Sequence, residues 1–403
     1  MPTPIPPDEA WRRIAARCSP LPAQAAERRS ALGRVLASPL PATVDVPAAD
    51  VSAMDGYAVA GPVGAGEARQ VAATIAAGDA PGYALAPPAV ARIMTGAPVP
   101  GGADRVVPVE ATAARDRAQV TFEAAAAAAG PGEHIRRRGE ILRRGEPLLP
   151  AGALLTPGAL ALLATHGYGE VPVHREPSVA IVTTGDEVVP PEAEPAPGQL
   201  RDSHTDFLTA AGASLGLRFQ PLGIAPDREE ALELLVESGL GCDVLLLCGG
   251  VSMGEFDLVE GVLARLGCRA ELDAVAIQPG QPLVFASHPG GIVFGLPGNP
   301  ASVMVNFWLF VRPALLRLMG VAASWWGGAL AGTLARPLPG AGGRDRFLAA
   351  GIEARDGALL VTPYPPKGSH DLAAYAHGTA LVRVRAGAAP APAGAACEVL
   401  LLV

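Results

Sequence analysis

The chain lacks the positive excess that draws a protein to nucleic acid or to anionic membranes. Its formal net charge is −8, so any phosphate site must be local rather than a property of the whole surface. Cysteine is scarce and scattered. Cys18, Cys242, Cys248, Cys268 and Cys397 form no CxxC and no metal-finger spacing, and the histidines form no HxxxH pair, which argues against zinc. No basic segment leading into an apolar one opens the chain, which begins MPTPIPPDEA. The longest apolar stretch, around 301–311, is too short to span a bilayer. Charged residues make up only 17% against 50% hydrophobic, which excludes disorder. A reduced, cytoplasmic protein with neither a nucleic-acid nor a membrane partner is expected.

What is present is length, glycine and proline. A chain of 403 residues is long enough for about two to four domains with real cores. Its 48 glycines and 41 prolines mark frequent turns. Residues 1–44 begin proline-rich and become helical, with Trp11, Ile14 and Ala15 on one face. Residues 45–140 read as short strands (71–75, 89–94, 105–109, 119–122) between Gly, Pro and Asp punctuation. A proline-led helix at 157–165 follows. Strands at 179–183, 218–224, 244–248, 270–277 and 292–296 then alternate with helices at 204–212, 228–237, 258–266 and 300–319. That alternation predicts an α/β domain with a parallel or mixed sheet. From 329 to 403 short strands and Gly/Pro turns predict a small β-barrel or sandwich.

The most informative stretch is 245–257, LLLCGGVSMGEFD: a buried-strand pattern, two glycines, then an acid that opens a helical pattern. Gly249 and Gly250 let the backbone turn sharply and approach a ligand. Two other loops follow strand candidates, TGDEV at 184–188 and PGNP at 297–300, and in a doubly wound sheet such loops converge at one edge. Their acids carry two readings each. Asp257 has capping-box spacing to Glu260, which does not exclude metal or ligand binding; Asp227 repeats the spacing to Glu230, and there the capping reading is the stronger. Asp186 and Glu187 are either a solvated turn or paired carboxylates for magnesium. Asn299 before Pro300 is an expected N-cap whose helix end suits phosphate. Asp55, between Met54 and Gly56, is a turn residue or an acid entering a cleft. The arginines of HIRRRGEILRR, 134–144, are a solvated face or an attractor for an anion.

SAMDGYAV, MTGAPVP, IRRRGE, TTGDE, GGVSMGEFD, GLPGNP and KGSH occur in this order between about 45 and 370. Together they resemble the MoeA family, the E domain of gephyrin-like proteins, which inserts molybdate into molybdopterin. The resemblance implies a discontinuous elongated region at 1–44 and 141–176 and a β-rich insertion at 45–140. It also implies a molybdopterin-binding α/β domain at 177–320, a C-terminal β-barrel at 329–403, and a homodimer. The implied reaction takes adenylylated molybdopterin and molybdate as substrates, uses Mg2+ and releases AMP, and a molybdopterin adenylyltransferase is the implied partner. Carried over position by position, Asp55, Glu187, Asp227 and Asp257 are the catalytic set, and Asp186, Glu187 and Asp257 hold the metal. Thr95, Gly185, Asp186, Gly249, Gly250, Ser252, Gln278, Gln281, Pro297, Gly298, Asn299, Pro300, Ser369 and His370 line the substrate site.

Four departures from the family pattern stand out. The loop expected as IKPGKP reads IQPGQP at 277–282, so Gln278 and Gln281 replace lysines. Ala349 stands where an arginine is usual, Ile141 where an aspartate is, and Thr379 where an asparagine is. The first three positive charges are those an oxyanion needs, since a charge-assisted hydrogen bond is about twice as strong as a neutral one. Arg136–Arg138 or Arg201 are the replacements the sequence suggests. The alternative function is a non-catalytic molybdopterin- or nucleotide-binding paralogue.

Overall fold

A computed structural model describes residues 3–80, 82–114, 117–250 and 258–402. The chain forms two compact units, one of Met1–Ala37, Leu154–Thr156 and Val171–Val403, the other of Ser38–Ala153 and Pro157–Glu170.

The second unit is built on a six-stranded sheet in the order Arg105–Pro108, Gly56–Val59, Val90–Ile93, Ala68–Ile75, Gln119–Phe122, Thr112–Ala114. Its strands are short because Gly, Pro and Asp interrupt every apolar run. Tyr57, Val59, Val90, Val107, Val120 and Phe122 close its core, and the alanine tract folds as a 3-10 turn, Ala124–Ala128.

In the first unit a mixed sheet runs Phe219–Ala225, Val179–Thr184, Val244–Cys248, Gly291–Leu296, Pro282–His288, Arg269–Ala274. The first four strands are mutually parallel, Pro282–His288 is antiparallel to Gly291–Leu296, and Arg269–Ala274 is antiparallel to Pro282–His288 in turn. Val179–Thr184 and Val244–Cys248 are buried along their whole length, as strands covered on both faces must be. Alternate residues feed two cores. Ile181, Leu246 and Phe294 pack on one face, and Val182, Leu247 and Val293 on the other.

The apolar run around 301–311 proves to be part of a longer helix. Pro300–Leu318 has the length and apolarity to cross a membrane, but 78% of its apolar window is buried in the protein, so it is a core helix. A π turn at Phe307–Val311 interrupts it just before Pro313, whose missing N–H cannot continue the ladder. Beyond it, Asp345–Arg355, Ala358–Tyr364, Leu330–Leu334, Ala396–Leu401 and Ala380–Val384 pair in sequence and the last returns to the first, closing a five-stranded barrel.

Asp243 fastens the opposite end of the sheet. Both its oxygens accept from Arg175 at 2.7 Å, and one also accepts the Ser178 amide and hydroxyl at 2.7 Å. Burial raises its pKa, but these donors outweigh burial and hold it at about 2. A depressed carboxylate stabilises the fold above its unfolded pKa of about 3.9 and loses that contribution as pH falls through about 2. Asp243→Asn is therefore expected to cost about 1–2 kcal/mol in urea unfolding at pH 7. The cost should shrink as the titration is repeated toward pH 2; a penalty equal at both pH values would contradict this assignment.

Candidate functional site

The parallel strands deliver their loops to one edge, as their order requires. Gly249 has φ +93°, and a Cβ on it would stand 2.6 Å from the Thr184 carbonyl oxygen. Gly250 has φ +63°, and its Cβ would meet Val259 and the Thr184 hydroxyl at 2.9 and 3.0 Å. Only glycine fits either position, so the turn after Val244–Cys248 lies directly on the end of Val179–Thr184. Gly298 follows the next strand and backs onto Gly249, with 3.8 Å from its ideal Cβ to the Gly249 Cα. Ser252 and Asp257 lie outside the described residues.

Across the same edge Asp186 and Asp227 exchange hydrogen bonds. The Asp227 amide donates to Asp186 Oδ1 at 3.1 Å, and the Asp186 amide donates to Asp227 Oδ2 at 3.4 Å. The capping-box reading of Asp227 is corrected here. The helix Glu229–Gly239 has Arg228 as its N-cap and no side-chain cap, because the Asp227 carboxylate is drawn sideways to the Asp186 amide. Glu187 folds back over Gly185, whose ideal Cβ would lie 2.6 Å from Glu187 Oε2. Among the described residues no cationic side chain pairs with any of these three acids. Each of the two aspartates keeps a second oxygen outside the exchange. Uncompensated carboxylate oxygens at a sheet edge suit a hard cation such as Mg2+. Among the described residues no three such groups form a complete metal set, and Asp257, the third expected ligand, is outside them.

Asp202 is a residue that sequence reasoning missed. It is 5% exposed, accepts the His204 and Thr205 amides at 2.9 and 3.1 Å, and takes the Thr205 hydroxyl at 2.6 Å. With Asp186, Thr205, Pro221 and Pro226 it lines a cavity of about 590 Å³. Its signal was the polar run RDSHTD before an apolar helical pattern.

A second cavity, of about 470 Å³, lies where the IQPGQP loop meets the barrel and the PGNP turn. Gln278, Gln281, Asn299, Ser302, Arg344, Arg346, Lys367 and Ser369 all line it. Asn299 is the N-cap of its helix with Pro300 at N1, as expected, but its side chain makes no cap bond, and its backbone carbonyl takes the Ser302 and Val303 amides. The Ser369 carbonyl accepts from Ala301 at 3.3 Å, joining the KGSH turn to the same helix; His370 is exposed beside it. Ala349 is fully buried against Gly378. The arginines suggested as replacement charge are largely engaged: Arg137 pairs with Asp50 at 2.7 Å, Arg138 with Asp45 at 2.6 Å and Arg201 with Glu194 at 3.2 Å.

In the other unit Asp55 precedes the strand Gly56–Val59, and its Oδ1 accepts the Thr95 amide at 2.6 Å and hydroxyl at 2.8 Å. The amide bond first, then the hydroxyl, lowers its pKa, so it is held as a carboxylate with its other oxygen outside the pair.

Comparison with known proteins finds family matches along nearly the whole chain. Residues 5–167 match the MoeA N-terminal region (domain I and II), 180–317 a "probable molybdopterin binding domain", and 331–402 the MoeA C-terminal region (domain IV). The molybdopterin molybdenumtransferase of Bacillus subtilis is 32% identical over 99% of this chain and 94% of its own length. That of a Nostoc strain is 37% identical over 73% of this chain and 69% of its own. The crystal structure of the molybdopterin biosynthesis MoeA protein from Pyrococcus horikosii superposes with a TM-score of 0.82 at 29% identity, covering 100% of both chains. In sequence and in fold, the chain belongs to the MoeA family.

Proposed function

We propose that this chain is a molybdopterin molybdenumtransferase of molybdenum cofactor biosynthesis, taking adenylylated molybdopterin and molybdate and releasing AMP. One observation carries the reading. The acids Asp186, Glu187 and Asp227, which pair with no cation among the described residues, and the cavity at Gln278 and Gln281 lie along one edge, linked through Gly298 against Gly249 and the adjoining Asn299. An acidic edge and a cationic cavity so joined suit a phosphate-bearing substrate and a second, anionic one.

The broken bond is the pyrophosphate between AMP and the pterin phosphate, with water added across it. Mg2+ held by Asp186, Glu187 and Asp257, with Asp227 beside them, would neutralise charge on the phosphate oxygens. The Gly249 amide donates to the Leu296 carbonyl at 3.0 Å, which ties the glycine turn to the neighbouring strand at that edge. Asp202 keeps Thr205 and the start of its helix in place beside the 590 Å³ cavity. Asp55 and Thr95, in the other unit, are assigned to the site of a partner copy in a homodimer. The adenylylated substrate requires an adenylyltransferase as supplier.

The test is purified protein with adenylylated molybdopterin, Mg2+ and molybdate, following AMP and the capacity to reconstitute an apo-molybdoenzyme. Both should appear. Tight pterin binding without turnover would instead support the non-catalytic paralogue.

A further inference from the structure

We infer that Asn306, inside the core helix, is a positioning residue for the reaction: its side chain grips the Ile277–Pro282 loop and so presents Gln278 and Gln281 to the cavity they line. The part it plays in turnover rests on the transfer reading above; the grip itself does not.

Asn306 is a polar exception in an apolar segment. It closes the helical stretch Pro300–Asn306 and is 0% exposed, between Val305 and Phe307, which are fully buried too. An amide taken out of water costs stability unless it is hydrogen-bonded. Asn306 Nδ2 donates to the Gly280 carbonyl at 3.1 Å, and because a carbonyl has nothing to donate, the nitrogen must be the atom facing it. Asn306 Oδ1 is buried and has no partner among the described residues. One bond made and one acceptor left empty is a poor return for a core amide. What accounts for the residue is the loop it holds.

That loop is shaped for the contact. Gly280 has φ +100°, and an ideal Cβ on it would stand 2.8 Å from Asn306 Nδ2, so a side chain there would push the backbone off the amide. Main-chain bonds fix the ends of the loop. The Gln281 carbonyl accepts the Val275 amide at 2.9 Å, the Ala276 carbonyl accepts the Asp345 amide at 3.1 Å, and Ile277–Gln278 pair with Asp345–Arg346. Asn306 secures the tip, and Gln278 and Gln281 flank that tip. The helix that carries Asn306 also carries Ser302, and its N-cap is Asn299; both line the same cavity. One side chain thus ties two walls of the cavity together. Directly after Asn306 the helix changes pitch into the π turn Phe307–Val311, an irregularity that recurs at functional sites.

The experiment compares wild type with Asn306→Leu, which keeps the approximate shape and removes the donor, and with Asn306→Thr, which restores a donor. Two quantities are read on the full chain. One is amide hydrogen exchange in peptides covering 276–282 and 300–318. The other is the molybdate concentration giving half-maximal AMP release from adenylylated molybdopterin with Mg2+. In Asn306→Leu the loop peptide should exchange about tenfold faster, the loss of one hydrogen bond, while the helix peptide keeps its protection. Half-saturating molybdate should rise about tenfold, with turnover at saturation within about twofold of wild type, and Asn306→Thr should recover part of both. If Asn306→Leu does not fold, Asn306→Val replaces it beside Asn306→Thr, since both are β-branched and they differ by a hydroxyl. Unchanged loop exchange in a folded variant without the donor would overturn the grip. Faster exchange in loop and helix alike, with half-saturation unchanged, would make Asn306 a core residue and overturn its positioning role. A loop loosened by Asn306→Leu in a protein whose wild type releases no AMP would uphold the grip and refute the transfer reading.

Discussion

Asp186→Asn is expected to lower the turnover number for AMP release by about a hundredfold or more, the scale of losing one preorganised electrostatic group at a reacting phosphate. The substitution isolates charge from shape. An asparagine oxygen still accepts the Asp227 amide, which Asp186 Oδ1 does at 3.1 Å, so the exchange across the sheet edge can persist and the melting temperature should hold. Asp227→Asn should behave alike, and the double variant should lose less than the product of the two, because groups acting as one unit are not additive. Activity within about twofold of wild type in Asp186→Asn would remove the acid pair from the chemistry.

Gly249→Ala is expected to cost about 2–5 kcal/mol in urea unfolding. Two costs combine. The backbone at φ +93° is strained for any side chain, and the added carbon would stand 2.6 Å from the Thr184 carbonyl, a backbone atom that cannot swing aside. Gly342→Ala is the control: it has no strained φ and nothing within 4 Å of its ideal Cβ, so its effect should stay within about 0.5 kcal/mol. Equal effects in the two variants would mean that the turn relaxes and does not fix the site.

Much of the fold was legible because burial on both faces writes continuous apolar runs, and VLLLC at Val244–Cys248 is one. The meeting of the three edge loops followed from strand alternation alone. What sequence could not show was pairing between segments far apart in the chain. Gln278 and Arg346 become neighbours only through the barrel register, so the departures at Gln278, Gln281 and Ala349 read as lost charge, and the replacement was sought in Arg137, Arg138 and Arg201. Those arginines are adjacent to one another or to the motifs in sequence, but their nearest partners are acids. Local spacing misled at the caps as well. Asp227 lies one residue before the N-cap Arg228 with its carboxylate claimed by Asp186, and Asn299 is an N-cap whose side chain lines the cavity without bonding the helix. Asp202 was hidden for the opposite reason: in sequence it is an ordinary polar residue before a helix, and only its burial sets it apart.

The most direct measurement is the ratio of AMP released to molybdenum incorporated in a single turnover of wild-type protein with adenylylated molybdopterin and Mg2+, with and without molybdate. A shared edge for both substrates requires AMP and molybdenum in equal amounts, with AMP release fastest when molybdate is present. AMP released at the same rate and yield without molybdate, and no metal in the product when it is supplied, would contradict the coupling and leave a nucleotide hydrolase on the same fold.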